Sequence, residues 1–261
     1  MKVLHLAPHP DDEVLGAGAV LLALQGAGHQ VINFAVSLGR KEDQSRRLIE
    51  VQEACERMGI ELIIPASPYA ISSGDDLAAS QKLLTEEIAG LIRELGVDLL
   101  ISPSPHDGHH GHEVVGRAAR EACMTTNLRD WWLWGLWADL PFPNVLHGFG
   151  QEELDRLQHA LSAHAGEVAR NDYSRLLAGR SLANSALAAE RVWGYGAEGI
   201  DSHYAEVVCA LQWDDKQWHL AEPSTLNPAS PLSQQNGPEI DWWIMQPSLS
   251  ELKKTHFGTK A

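Results

Sequence analysis

The chain has 261 residues, long enough for one large α/β domain or a domain with a sizeable extension, and its 44% hydrophobic content with nine Trp supplies a real core. A formal net charge of −15 argues against nucleic acid or an anionic membrane surface as a main partner, since both select basic patches. Three separated cysteines, Cys55, Cys123 and Cys209, make neither a disulfide framework nor a CxxC metal site and read as reduced thiols of a cytoplasmic protein.

Residues 2–8 form an apolar strand, and one helix is expected over about 12–25, small on one face (Gly16, Ala17, Gly18, Ala19) and stopped by Gly26 and Gly28. Strand two is Val31–Val36. The next helix carries Leu48, Val51, Cys55 and Met58 at steps of three and four and stops at Gly59. Strand three is Leu62–Ile64, followed by a helix with Leu84, Ile88, Leu91 and Leu95 that stops at Gly96. Strand four is Val97–Ser102, and Glu113–Met124 is again helical. Short apolar strands between amphipathic helices predict a mostly parallel sheet covered on both faces, an α/β, Rossmann-like three-layer sandwich. Right-handed crossovers then bring Pro8 and Ser102 to the same sheet edge, where such folds bind ligands.

The second half reads as a helical and hairpin extension. Residues 131–137 hold four of the nine Trp and are read as packing in the core or at a homo-oligomer interface, with a lid over a sugar as the alternative. One long helix with the stripe Leu154, Leu157, Leu161, His164 and Val168 follows. Residues 203–221 read as a hairpin turning at Asp214-Asp215-Lys216, and from about 222 the chain reads as an irregular tail. The whole is expected to be one domain, 1–261, with a catalytic half (1–125) and a half completing the site (126–261). No signal peptide is apparent, and no apolar run reaches the roughly 18 residues of a membrane span.

Two polar clusters stand at strand ends. The first is His9-Pro10-Asp11-Asp12-Glu13, where a turn used only for connection would carry Gly, Asn or Ser. Three adjacent acids are costly to bring together unless a cation neutralises them. His9 and Asp12 are spaced to bind one metal ion, with Asp11 beside any water that ion holds. The second cluster is His106-Asp107-Gly108-His109-His110-Gly111-His112-Glu113. One His from it completes a His-Asp-His set, which leaves coordination positions open, as catalysis needs. A second His near the ion is placed to stabilise an oxyanion and protonate a leaving amine.

The HPDD turn followed by a later H-x-x-H resembles the LmbE-like (PIG-L) family of zinc-dependent N-deacetylases. The likeness runs through the first ~125 residues, includes Ser37-Leu38-Gly39-Arg40 and Arg47-Leu48-Ile49-Glu50, and extends to Ala160–His164 and Ala189-Glu190-Arg191-Val192. It implies that His9 and Asp12 bind Zn2+ and that Asp11 is the general base. H-x-x-H fits both His106 with His109 and His109 with His112. In the family the zinc His lies four residues before a Gly at a helix start, which His112 meets through Gly116. The resemblance therefore assigns His112 to the metal and His109 to the oxyanion and acid role. The family's Pro-Asp between these two His is His110-Gly111 here, so the Asp that orients the acid is missing, and Asp107 is the candidate substitute. Arg40 matches a family position that contacts the substrate's sugar or phosphate. Arg47 with Glu50 reads as a structural ion pair, and His5 and His164 as core imidazoles.

The expected function is metal-dependent removal of an N-acetyl or similar acyl group from an amino sugar, such as N-acetylglucosamine, or its conjugate. The ligand set accepts Fe2+ as well as Zn2+. Rival readings are an amidase acting on another amide, such as a thiol conjugate, and a non-catalytic metal- or nucleotide-binding module. The absence of G-x-G-x-x-G after strand one argues against a nucleotide.

Overall fold

The computed structural model describes residues 1–71, 76–247 and 252. The first half alternates β1 (Lys2–Ala7), α1 (Asp12–Leu15), α2 (Gly18–Gly26), β2 (Gln30–Ala35), α3 (Gln44–Met58), β3 (Glu61–Ile63), α4 (Leu77–Leu95), β4 (Leu99–Pro103) and α5 (His110–Thr126). The second half adds β5 (Asp130–Trp134), β6 (Val145–Phe149), α6 (Gln151–Leu161), α7 (Ala165–Arg170), α8 (Tyr173–Trp193), β7 (Tyr204–Trp213), β8 (Trp218–Ala221), β9 (Ser224–Thr225), β10 (Asn236–Glu239) and α9 (Asp241–Ile244).

The main sheet runs β10-β8-β7-β5-β4-β1-β2-β3. The strands from β3 to β5 are parallel and the remainder antiparallel, which is the mostly parallel α/β fold expected. β7 is long enough to serve two partners, pairing β6 through Tyr204–Val208 and β5 through Cys209–Gln212. The chain builds β2 and β3 on one side of β1, then crosses to β4 and β5 on the other. The carboxyl ends of β1 and β4 therefore flank a topological switch point, where open α/β sheets bind ligands.

Alternation sets the two cores. Val3 faces a cluster with α2, α3 and α6, whereas Leu4 and Leu6 face α4 and α5. The Trp run is itself a buried strand. Trp132 and Trp134 join the first core and Trp131 the second, each burying about 150–250 Å², and the Trp131 indole N–H donates to Ser102 Oγ at 2.8 Å. Core packing is thus the structural role of these three; within 131–137 only Trp137, past the strand end, is an exposed Trp. The three cysteines are free and buried.

Two helices expected to be continuous are broken. The 12–25 helix divides at Gly16-Ala17, where Ala17 leaves the helical region at φ −140°, and Gly16 lets the turn pack on Trp134, since a Cβ there would stand 2.7 Å from that ring. The long stripe ending at Val168 divides between α6 and α7. The Arg57 guanidinium caps the end of α6 by donating to His159 O and Ser162 Oγ, and the chain turns there so that His164 is fully buried. The hairpin stands as expected, and the tail from 222 folds back through β9, β10 and α9, burying Ile240 and Ile244. The rest of that expected tail, 248–251 and 253–261, lies outside the described residues.

Candidate active site

The HPDD turn leaves β1 in a tight loop. Asp12 Oδ2 accepts the His9 backbone N–H at 2.8 Å, fixing the two side chains together. Asp11 adopts φ 113°, a left-handed conformation that is strained for any residue with a Cβ. It occupies the N-cap position of α1 yet makes no capping bond, so its carboxylate is left facing the cleft. Glu13 braces the turn from below. It accepts the Asp11 backbone N–H at 3.1 Å and pairs with His164 Nε2, both side chains being wholly buried. His164 is thus a core imidazole that also supports the site.

The second cluster arrives on the first turn of α5. His112 is nearly inaccessible, and Gly116, one turn later on the same face, allows the approach. A Cβ there would lie 2.7 Å from Pro103 O and Pro105 N. His112 Nε2 stands 3.3 Å from His9 Nδ1 and 3.4 Å from Asp12 Oδ2, and His9 Nδ1 stands 3.3 Å from Asp12 Oδ2. Four ligands at 2.0–2.1 Å around a tetrahedral ion are about 3.3–3.4 Å apart, so these three atoms already have the spacing of one face of such a shell. Ligand nitrogens of His9, His109 and His112 also lie within 4.8 Å of one another, so His109 stands beside this triangle.

His106 does not enter this group; its Nε2 meets Trp243 O at 3.1 Å, and His110 Nε2 meets Ile71 O at 3.3 Å. Asp107 is fully buried and serves His112 rather than His109. One oxygen pairs with His112 Nδ1 at 2.8 Å, and the other accepts the backbone N–H groups of Leu136, Trp137 and Ala138 at 2.6, 3.1 and 3.3 Å. The expectation that Asp107 orients His109 is therefore corrected. The Arg47–Glu50 pair is corrected too. Glu50 takes Arg46 at 2.7 Å, while Arg47 reaches Pro10 O and Glu167 Oε1, both at 3.3 Å.

Charge in the site is tightly linked. Burial opposes ionisation of Asp12, but His112 and His9 outweigh it and hold the carboxyl well below its usual range. Burial likewise depresses His112, yet Asp12 and Asp107 raise it to about 10. Asp11 is pushed well up, first by burial and then by Asp12 and Glu13. His109 falls to about 3, through burial and then through His9, His112 and His110, and its Nδ1 is buried with no partner among the described residues.

These groups line a cleft of about 620 Å³ with Arg40, Arg47, Trp137, Glu167, Arg170 and Tyr173. Arg40 is exposed at its mouth. The rim from α7 and α8 was missed in the sequence, because nothing local marks it; it is brought in by the break after α6.

Fold and geometry define an α/β protein with a polar, cation-ready cleft at the switch point of its sheet. Residues 4–123 match the PIG-L family model, described as GlcNAc-PI de-N-acetylase, so the resemblance read from the two motifs is borne out over the segment that carries both. The diacetylchitobiose deacetylase of Thermococcus kodakarensis is 28% identical over 140 residues, 49% of this chain and 51% of that protein. The chain thus spans about half the length of this curated relative. The A40926 pseudoaglycone deacetylase Dbv21 superposes with a TM-score of 0.63 at 20% identity, over 79% of this chain and 95% of its own. GalB, a 4-carboxy-2-hydroxymuconate hydratase from Pseudomonas putida KT2440, superposes at 0.60 with 15% identity, over 80% and 95%. These likenesses show the fold, and a hydratase among them means that the chemistry must be argued from the site.

Proposed function

We propose that this protein is a metal-dependent hydrolase that removes an N-acetyl or similar acyl group from an amino sugar or its conjugate. The observation that carries the reading is the triangle of His9 Nδ1, Asp12 Oδ2 and His112 Nε2, 3.3–3.4 Å on each side, with the Asp11 carboxylate, unpaired among the described residues, in the same cleft. The deacetylase relative and the family match over both motifs support it.

His9, Asp12 and His112 would hold the cation, Zn2+ or Fe2+. When bound, the ion supplies a water of lowered pKa, about 7, and polarises the acyl carbonyl. Asp11 is the base that takes the proton of the attacking water. Its raised affinity for protons suits it to return that proton to the departing amine. His109, kept neutral by burial and by the adjoining His9, His112 and His110 imidazoles, which oppose its protonation, serves as a hydrogen-bond donor to the developing oxyanion. A nearby cation would depress it further, so we assign it this role rather than the proton donation expected from sequence. Arg40, free of any ion pair among the described residues, is assigned to a polar substituent of the substrate. The buried free thiols fit a cytoplasmic protein, and among the described residues no helix is long and apolar enough to cross a membrane.

Metal content after gentle chelation and reloading with zinc tests the ligand set. About one ion per chain is expected in the wild type and in His106→Ala, and none in His112→Ala. Retention in His112→Ala with loss in His106→Ala would overturn the assignment.

A further inference from the structure

His109 presents a problem that the rest of the site does not share. His112 is oriented by Asp107, and Asp12 by the His9 backbone, but His109 Nδ1 is buried and has no hydrogen-bond partner among the described residues. Residue 111, beside it, is Gly and brings no carboxylate. What holds the ring is aromatic contact. Trp137 stacks on it at 5.6 Å between centroids and 25° between planes, His110 at 4.6 Å and 24°, and the His9 and His112 rings meet it edge-on at 5.0 and 4.9 Å. The Trp137 and His110 arrangements are near-parallel stacks, the geometry that restricts ring rotation without a directional bond. His110 is pinned in turn to Ile71 O, and the Trp137 backbone N–H to Asp107.

We infer that Trp137 is a positioning residue for His109, its indole replacing the carboxylate that would otherwise orient this imidazole. The inference rests on the deacetylase reading only in giving His109 its task; the stack itself does not depend on it. Asp107 then links two functions, since the same carboxylate that orients His112 also holds the backbone of the loop carrying Trp137. Trp137 is 59% exposed, so its removal does not threaten the core, and Ala or Phe at 137 keeps the backbone bond to Asp107.

The test compares Trp137→Ala and Trp137→Phe with the wild type by two measurements. The first is the His109 Hε1 resonance in proton–carbon correlation spectra of the metal-free protein. The stack predicts an upfield ring-current shift that is lost in Trp137→Ala and largely kept in Trp137→Phe. The second is acetate release by the zinc-loaded protein from an N-acetylglucosamine oligosaccharide. Loss of orientation predicts a fall in kcat of about tenfold or more in Trp137→Ala at unchanged zinc content, mostly restored in Trp137→Phe. An unmoved His109 resonance would overturn the inference, as would a rise in KM alone with kcat intact, which would make Trp137 a substrate contact. A wild type that releases no acetate while the resonance shifts as stated would instead sink the deacetylase reading and leave the stack standing.

Discussion

Replacing Asp107 by Asn should uncouple metal affinity from the fold. A carboxylate accepts at both ends, whereas an amide accepts at one and donates at the other. If the new amide oxygen keeps the loop N–H groups of Leu136, Trp137 and Ala138, its NH2 faces His112 Nδ1. That imposes the wrong tautomer, with the proton on the Nε2 that faces His9 and Asp12. If the amide flips, three backbone donors lose their acceptor. The first arrangement should weaken zinc binding about 10–100-fold, the usual effect of losing such an outer partner. The second should cost about 1–3 kcal/mol of stability for buried donors left unpaired. Asp107→Ala loses both, and about 3–5 kcal/mol is expected for breaking a buried charged pair, a large part of the ~5–15 kcal/mol that holds a typical domain. Zinc affinity by chelator competition and stability by urea unfolding measure the two effects separately. Zinc affinity unchanged in Asp107→Asn would refute the claim that Asp107 sets the state of His112.

Asp11→Gly should relieve the strain at φ 113° and raise Tm by about 2–4 °C, corresponding to about 1 kcal/mol, while abolishing acetate release; a lowered Tm would show that the turn is not strained. Asp11→Ala should lose turnover with little loss of zinc, whereas Asp12→Ala should lose both, and equal zinc loss in the two variants would contradict their separate roles. Burial raises Glu206 to about 7 from 4.5, against the opposing effects of the Val20 N–H and His147. Between those values the unfolded chain ionises while the folded one keeps its proton, so wild-type stability falls as pH rises through that window. Glu206→Gln should therefore gain stability relative to the wild type between pH 4.5 and 7, and a difference independent of pH in urea titrations would rule this out. Gly16→Val should destabilise by about 1–3 kcal/mol, because its side chain meets the Trp134 ring and Asp12 O; unchanged stability would mean that this approach is not tight.

The strands and helices of the first half were legible because each carries its own signal: apolar runs, stripes at steps of three and four, and glycines such as Gly59 and Gly96 at helix ends, both found at positive φ. The HPDD turn was legible for the same reason, being contiguous. What the sequence hid depends on partners remote in the chain. The close approach of Gly16 depends on Trp134, and the end of α6 on Arg57. On α3, Glu50 had two arginines within reach, and only the fold shows that Arg47 is drawn away to Glu167. Asp107 sits two residues from His109 and five from His112, yet helix geometry gives it to the farther one. The Trp run alternates between two cores, a period-two pattern readable as a strand, and Trp137, outside that pattern, lines the cleft.

The central claim is that one cation held by His9, Asp12 and His112, with Asp11 beside it, hydrolyses an N-acetylated amino sugar. The most direct measurement is acetate release from an N-acetylglucosamine oligosaccharide by protein stripped of metal and then titrated with zinc, for the wild type and Asp11→Asn. The account predicts no release without metal, recovery that saturates near one ion per chain, and no recovery in Asp11→Asn at the same zinc content. Release that persists without metal, or full activity in Asp11→Asn, would contradict it.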